Sequence, residues 1–167
     1  LGVISFYSPR PLIDPIQIPN AGIRSQQPTF CFNLTPRDGY ALRDRLLKGE
    51  EITVHAKVEA TNEDTDIEVP TCVLQGTDPN AEEVIFTAHL FEGYVKLGAN
   101  DNISGSAALM EVARTLNELF DSGRLPRPKR SLRFIWIPEF SGSIPWAKQH
   151  KDILDRTLCG INLDMVG

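Results

Sequence analysis

Gly98-Ala99-Asn100-Asp101-Asn102-Ile103-Ser104-Gly105 is the stretch on which the reading of this chain turns. It follows a hydrophobic strand ending in His89 and opens a long amphipathic helix. Asp101 brings an anionic oxygen to a helix start, and the His89 imidazole stands about a dozen residues upstream, where the strand ends. Carboxylate oxygen and imidazole nitrogen are both zinc-ligand types. Two more acidic residues, Glu139 and Asp164, fall at the carboxyl ends of later apolar runs, Leu132-Arg133-Phe134-Ile135-Trp136-Ile137 and Cys159-Gly160-Ile161-Asn162-Leu163. All four groups are therefore expected at one edge of a parallel sheet, where open α/β sheets collect ligands and chemistry.

Around that stretch the pattern is strand, helix, strand, helix, strand. Val69 to Leu74 reads as an apolar strand, Gly76 to Glu82 as a polar turn, and Val84-Ile85-Phe86-Thr87-Ala88 as a run buried on both faces. From Ser104 to Asp121 the apolar residues Leu109, Val112, Ala113, Leu116 and Phe120 share one helical face, and Gly123 is a stop. A strand over 131–137, a helix from about Ser143 to Leu154 and a last strand near 159–164 complete the unit. Such alternation predicts an α/β fold with a parallel-rich sheet flanked by helices.

The first 64 residues read differently, as a strand-rich and proline-rich module. Gly2 to Tyr7 makes a credible strand, and Pro9, Pro11, Pro15 and Pro19 then exclude helix. Thr35 as N-cap, Pro36 at the first helical position, Leu42 and Leu46 on one face and Gly49 as the stop predict a helix. Strict alternation over 52–60 predicts a half-buried strand with His55 on its polar side, an ordinary surface histidine. Asn62 to Asp66 is a turn; it lacks the glycine and terminal glutamate of a calcium loop. The domain boundary is placed at residues 64 and 65.

Bulk properties remove several functions. A net charge of −5 offers no basic stripe for nucleic acid, and Pro126 to Arg130 is too short to supply one. No apolar run approaches the roughly 20 residues of a membrane-spanning helix. Cys31, Cys72 and Cys159 form neither a paired framework nor a zinc ribbon. Because the chain opens at Leu1 and closes on Asp164-Met165-Val166-Gly167, it is expected to be a segment of a longer protein.

Zinc hydrolases need nitrogen and oxygen ligands, a position for water, and a carboxylate to take the water's proton. His89 and Asp164 serve as terminal ligands in this reading, Asp101 as a ligand able to bridge two metals, and Glu139 as the general base. Phe140-Ser141-Gly142-Ser143 is not a nucleophile elbow, and the Gly98–Gly105 loop lacks a P-loop lysine.

Thr87-Ala88-His89, the Gly98–Gly105 loop, Pro138-Glu139 with Gly142-Ser143, and Asn162-Leu163-Asp164-Met165-Val166-Gly167 together resemble the co-catalytic zinc aminopeptidases. That family also includes glutamate carboxypeptidase, glutaminyl cyclase and the transferrin receptor ectodomain. The resemblance covers residues 68–167 and implies a phosphorylase/hydrolase-like zinc exopeptidase fold, present in part. It implies His89, Asp101 and Asp164 as metal ligands, Glu139 as base, a peptide substrate and release of N-terminal amino acids. Residues 1–60 resemble part of a protease-associated domain, and an extracytoplasmic setting is suggested by the resemblance alone.

Two positions depart from the family pattern. An acidic residue usually stands two places after the histidine ligand, where this chain has Phe91, with Glu92 next. A second glutamate usually follows the base and binds a second metal, where this chain has Phe140. The zinc count is thus one or two, with the second site in doubt. A further histidine ligand is expected beyond Gly167, so this stretch by itself is expected to be inactive. The other readings are a non-catalytic receptor or scaffold of the same fold and glutaminyl-cyclase-like amide chemistry.

Overall fold

The computed structural model describes residues 2–7, 18, 30–61, 63–90 and 97–167. These fall in two compact units, one within Leu1–Glu63 and Gly93–Leu97, the other within Asp64–Glu92 and Gly98–Gly167. The proline-rich segment around Pro9 to Pro19, Phe91 and Glu92 lie outside the described residues.

In the first unit β1 (Val3–Ser5) pairs in parallel with β2 (Cys31–Asn33). Helix α1 (Pro36–Leu47) starts as its sequence dictates: Thr35 Oγ1 accepts a hydrogen bond from the Asp38 amide at 3.1 Å, and Pro36 needs no amide partner. Gly49 ends it at φ +82°, a conformation costly for any residue with a Cβ. The Leu42/Leu46 face of the sequence reading packs only toward the start of the helix, where Leu42 is half-buried. Leu46 is exposed, while Gly39 is buried against the Phe6 ring, where a Cβ would approach Phe6 Cγ to 2.1 Å. The strand expected over 52–60 does not form. Its alternation still has a consequence, since Val54, Ala56 and Val58 line one cavity with Ile4, Phe30 and Phe32. Period-two spacing selects a face, but a strand also needs a ladder partner, and none is present among the described residues.

The second unit holds a four-stranded sheet in the order β3-β5-β4-β6, made of β3 (Thr71–Leu74), β4 (Glu83–His89), β5 (Leu132–Ile137) and β6 (Thr157–Asn162). β4 is central and parallel to both β5 and β6, whereas β3 runs antiparallel to β5 at the edge. The sheet is thus parallel-rich rather than wholly parallel. Helix α2 (Gly105–Asp121) covers one face, with Leu109 and Ala113 packed on Ala88, Phe134, Phe86 and Trp136. Phe86 and Phe134 are register partners whose rings stack at 5.0 Å. Val112, assigned to the apolar face by spacing, is instead exposed.

On the opposite face Ile85, Ile135 and Ile137 meet Trp146 of α3 (Glu139–Gln149) and Ile153 of α4 (Lys151–Leu154). The single helix expected from Ser143 to Leu154 therefore begins four residues earlier and breaks at His150. Pro138 turns the chain out of β5, and Glu139 sits in the first turn, where the helix dipole favours an anion. β6 also ends sooner than expected, at Asn162, so Asp164 lies two residues beyond the ladder. Cys31, Cys72 and Cys159 are not in disulfides, and burial pushes the Cys72 thiol up. No helix among the described residues is long and apolar enough to cross a membrane.

The amino-terminal end of this sheet is fixed by charge. Arg133 Nε and Nη2 donate to the two oxygens of Glu83 at 2.7 and 3.1 Å, with side chains 17% and 11% exposed. Removing one member leaves the other ionised in a nearly closed site, at a cost of about 3–5 kcal/mol. Arg133→Met should lower unfolding stability by that order in a denaturant titration. Glu83→Gln added to Arg133→Met should recover much of the loss.

Candidate metal centre

At the other end of the sheet, the carboxyl ends of the parallel strands deliver the predicted groups. His89 is the last residue of β4, paired with Ile137 of β5 and 6% exposed. Its carbonyl accepts a hydrogen bond from Ser106 Oγ at 2.9 Å, and the Ser106 carbonyl accepts one from Trp136 Nε1 at 3.1 Å. The strand end is thereby anchored to the first turn of α2.

Asp101 lies in an irregular turn, Ala99–Ser104, and not in the helix itself. Gly98 enters that turn at φ +63°, and its carbonyl accepts from the Ile103 amide at 2.9 Å. Asp101 (φ −109°, ψ 90°) and Asn102 (φ −136°, ψ 40°) are non-helical, so regular helix starts only at Gly105. The peptide joining Asp101 to Asn102 is cis. Asp164 follows β6, whose end is held to β4 by Leu163 N to Thr87 O at 2.9 Å and by Thr87 Oγ1 to Asn162 Oδ1 at 2.8 Å.

These three side chains converge. His89 Nε2 is 3.1 Å from Asp101 Oδ1 and 3.8 Å from Asp164 Oδ1, and one donor atom from each lies within 4.8 Å of the others. Zinc bonds of about 2.1 Å in a tetrahedron put neighbouring donors about 3.4 Å apart. The two separations from His89 bracket that value, and one imidazole nitrogen and two carboxylate oxygens suit a zinc ion in type.

Glu139 stands outside this triad but on the wall of the same cleft, about 480 Å³ in volume, together with His89, Asp164, Phe140 and Trp146. Phe140 is 72% exposed there. Hydrogen bonds from Arg114 and then Thr115 hold the Glu111 carboxyl down to about 2, yet that network faces solvent on α2 and is no part of the cleft.

One group that sequence reasoning passed over is Asn102. It is 2% exposed; Nδ2 donates to Leu163 O at 2.9 Å, and Oδ1 accepts from the amides of Gly105 at 3.0 Å and Met165 at 3.2 Å. The available signal was an amide side chain inside a glycine-bounded loop, next to a proposed ligand.

A family model described as peptidase family M28 matches residues 71–167, more than half of the chain. The chain belongs to peptidase family M28. M28 members are in general zinc-dependent, which agrees with the donor set assembled at His89, Asp101 and Asp164. A Clostridium acetobutylicum protein described as a "Putative polysaccharide biosynthesis protein with aminopeptidase-like domain" is 31% identical over 86 residues. That alignment covers 52% of this M28 chain and 18% of the relative. A solved structure described as a "putative peptidase" from the same species has 27% identity and a TM-score of 0.45, covering 56% of this chain and 19% of that one. An overlap of that extent carries no argument about the fold. This M28 chain spans less than a fifth of the length of either protein.

The packing of the ligand loops leaves no room at Gly105, where a Cβ would meet Asn102 Oδ1 at 2.2 Å and the backbone oxygen of Leu163 at 2.3 Å. Gly105→Ala should force the two loops apart and destabilise the protein by about 1–3 kcal/mol. Gly123→Ala, whose Cβ would meet nothing within 4 Å but which sits at φ +70°, should cost only the roughly 1 kcal/mol of an unfavourable backbone. Thermal melting of the two variants gives the comparison.

Proposed function

We propose that the full-length protein is a zinc metallopeptidase that removes N-terminal amino acids from peptides. The observation that carries this reading is the crowding of an imidazole nitrogen and two carboxylate oxygens within 4.8 Å near the carboxyl ends of the sheet's parallel strands. Membership of a peptidase family supports hydrolysis. His89, Asp101 and Asp164 would hold the ion, and Phe140 brings no metal-binding atom to the position beside the base. When bound, zinc supplies Lewis acidity that polarises a carbonyl and acidifies water toward about 7.

The chain's own residues do the rest. Glu139, at the first turn of α3, accepts the proton of the attacking water as the water oxygen bonds to the carbonyl carbon. It returns that proton to the amine nitrogen as the carbon–nitrogen bond breaks. The apolar wall formed by Ile137, Phe140 and Trp146 limits water around the scissile bond and offers contact to a substrate side chain. Residues 1–64 are assigned to a protease-associated-like module and 65–167 to the N-terminal part of the peptidase domain. A second reading, a non-catalytic receptor or scaffold of the same fold, is favoured by one feature, the exposed phenyl ring of Phe140 in the cleft.

Metal analysis and hydrolysis of aminoacyl-anilides by the full-length protein separate the two. The peptidase reading expects tightly bound zinc and turnover. Glu139→Gln should retain the zinc while the rate falls by roughly 10²-fold or more. An undiminished rate in that variant removes Glu139 from the base role, and absence of both zinc and turnover in the unaltered protein favours the scaffold.

A further inference from the structure

Asp164 is bracketed by two backbone groups, the Leu163 carbonyl and the Met165 amide, and both are bonded to one side chain, that of Asn102. Asn102 is itself the neighbour of Asp101. The two carboxylates of the triad are therefore tied through a single carboxamide, which also fixes the start of α2 through the Gly105 amide. We propose that Asn102 is the positioning residue of the metal centre, a neutral clamp that sets the separation of Asp101 and Asp164 before an ion binds. The proposal rests on the zinc reading of the site given above.

Three physical points support it. First, Asp101 and Asp164 carry like charges at short range, and without a cation they repel. The contacts that each makes to His89, at 3.1 and 3.8 Å, use atoms that a metal would take over, so those contacts cannot hold the loaded site. Second, the clamp must be both donor and acceptor, because it meets one carbonyl and two amides. A carboxamide has both, whereas a carboxylate has no donor for Leu163 O and would add a third negative charge. Third, the clamp is nearly sealed, and it fits against α2 only because Gly105 has no Cβ, which would stand 2.2 Å from Asn102 Oδ1. A second tie among the described residues runs from Val166 N to Ser104 Oγ at 3.2 Å and on from Ser104 Oγ to Asn100 O at 2.7 Å, but it is exposed and engages neither residue flanking Asp164.

A group that merely stabilised the fold would lower the melting temperature and leave zinc affinity of the folded protein unchanged. Arg133→Met, at the other end of the sheet, supplies that behaviour as a comparison. The experiment measures zinc affinity of the full-length protein by competition with a chromophoric chelator, well below each melting midpoint, alongside the visible spectrum of the cobalt form. Asn102→Ala and Asn102→Ser are used together; serine keeps a hydroxyl for the Gly105 amide but cannot span to Leu163 O.

The expected result is a loss of zinc affinity of roughly tenfold or more in both variants, with a changed cobalt spectrum, while Arg133→Met binds like the unaltered protein. Zinc affinity and cobalt spectrum unchanged in folded Asn102 variants overturn the clamp. So does failure of both variants to fold even with saturating zinc, which makes Asn102 a general element of the fold. An unaltered protein that binds no zinc tightly instead overturns the metal reading itself, and is seen before any variant is made.

Discussion

Two carboxylates and an imidazole cannot be held with donor atoms within 4.8 Å of one another by their own attraction, since the two anions repel. What holds them is backbone already bonded to something else. His89 is fixed by the β4–β5 ladder and by Ser106, Asp164 by the hydrogen bond of Leu163 to Thr87, and the Asp101 loop by Gly98 and Asn102. The rest of the second unit is arranged to keep those attachments rigid. Burial of Ala88, Leu109 and Phe134 on one face, and of Ile85, Ile135 and Ile137 on the other, locks β4 between neighbours. Close packing on both sides allows little slack at the strand ends.

The sheet separates its two electrostatic tasks by its length. At the start of β4 and β5, opposite charges on Glu83 and Arg133 are matched and nearly buried, so this end contributes specificity of pairing. At the finish, His89, Asp101 and Asp164 converge, and the two carboxylates keep about a third or more of their side-chain surface exposed. Matched charge can be closed off, whereas the proposed ion site needs an entry path. The cleft beside Glu139 and Phe140 supplies that path.

Phe140 bears on both readings of function. Beside the proposed base it takes a position that the resemblance assigns to a second metal ligand, and an exposed phenyl ring cannot coordinate zinc. The same ring, together with Ile137 and Trp146, makes an apolar wall. A centre with one firmly held ion and an apolar wall remains compatible with amide hydrolysis, because base and Lewis acid are separate groups.

Much of this was legible in the amino-acid sequence. Continuous apolar runs marked β4 and β5, the 3.6-residue spacing marked α2, Thr35-Pro36 marked α1, and His89, Glu139 and Asp164 were expected where apolar runs end, with Asp101 at a helix start. Local chemistry sufficed there because capping, periodicity and left-handed glycines act over a few residues. The pattern over 52–60 named a face but could not supply a partner strand. The early start of α3, the exposed Val112 and the antiparallel β3 were settled by which neighbour each segment meets. Asn102 shows the division most clearly: its identity stands in the sequence, but its three partners lie up to 63 residues away along the chain. Sequence thus determined which groups could bind a metal, while only the tertiary structure decided how they are held, because a hydrogen bond between distant segments has no local signature.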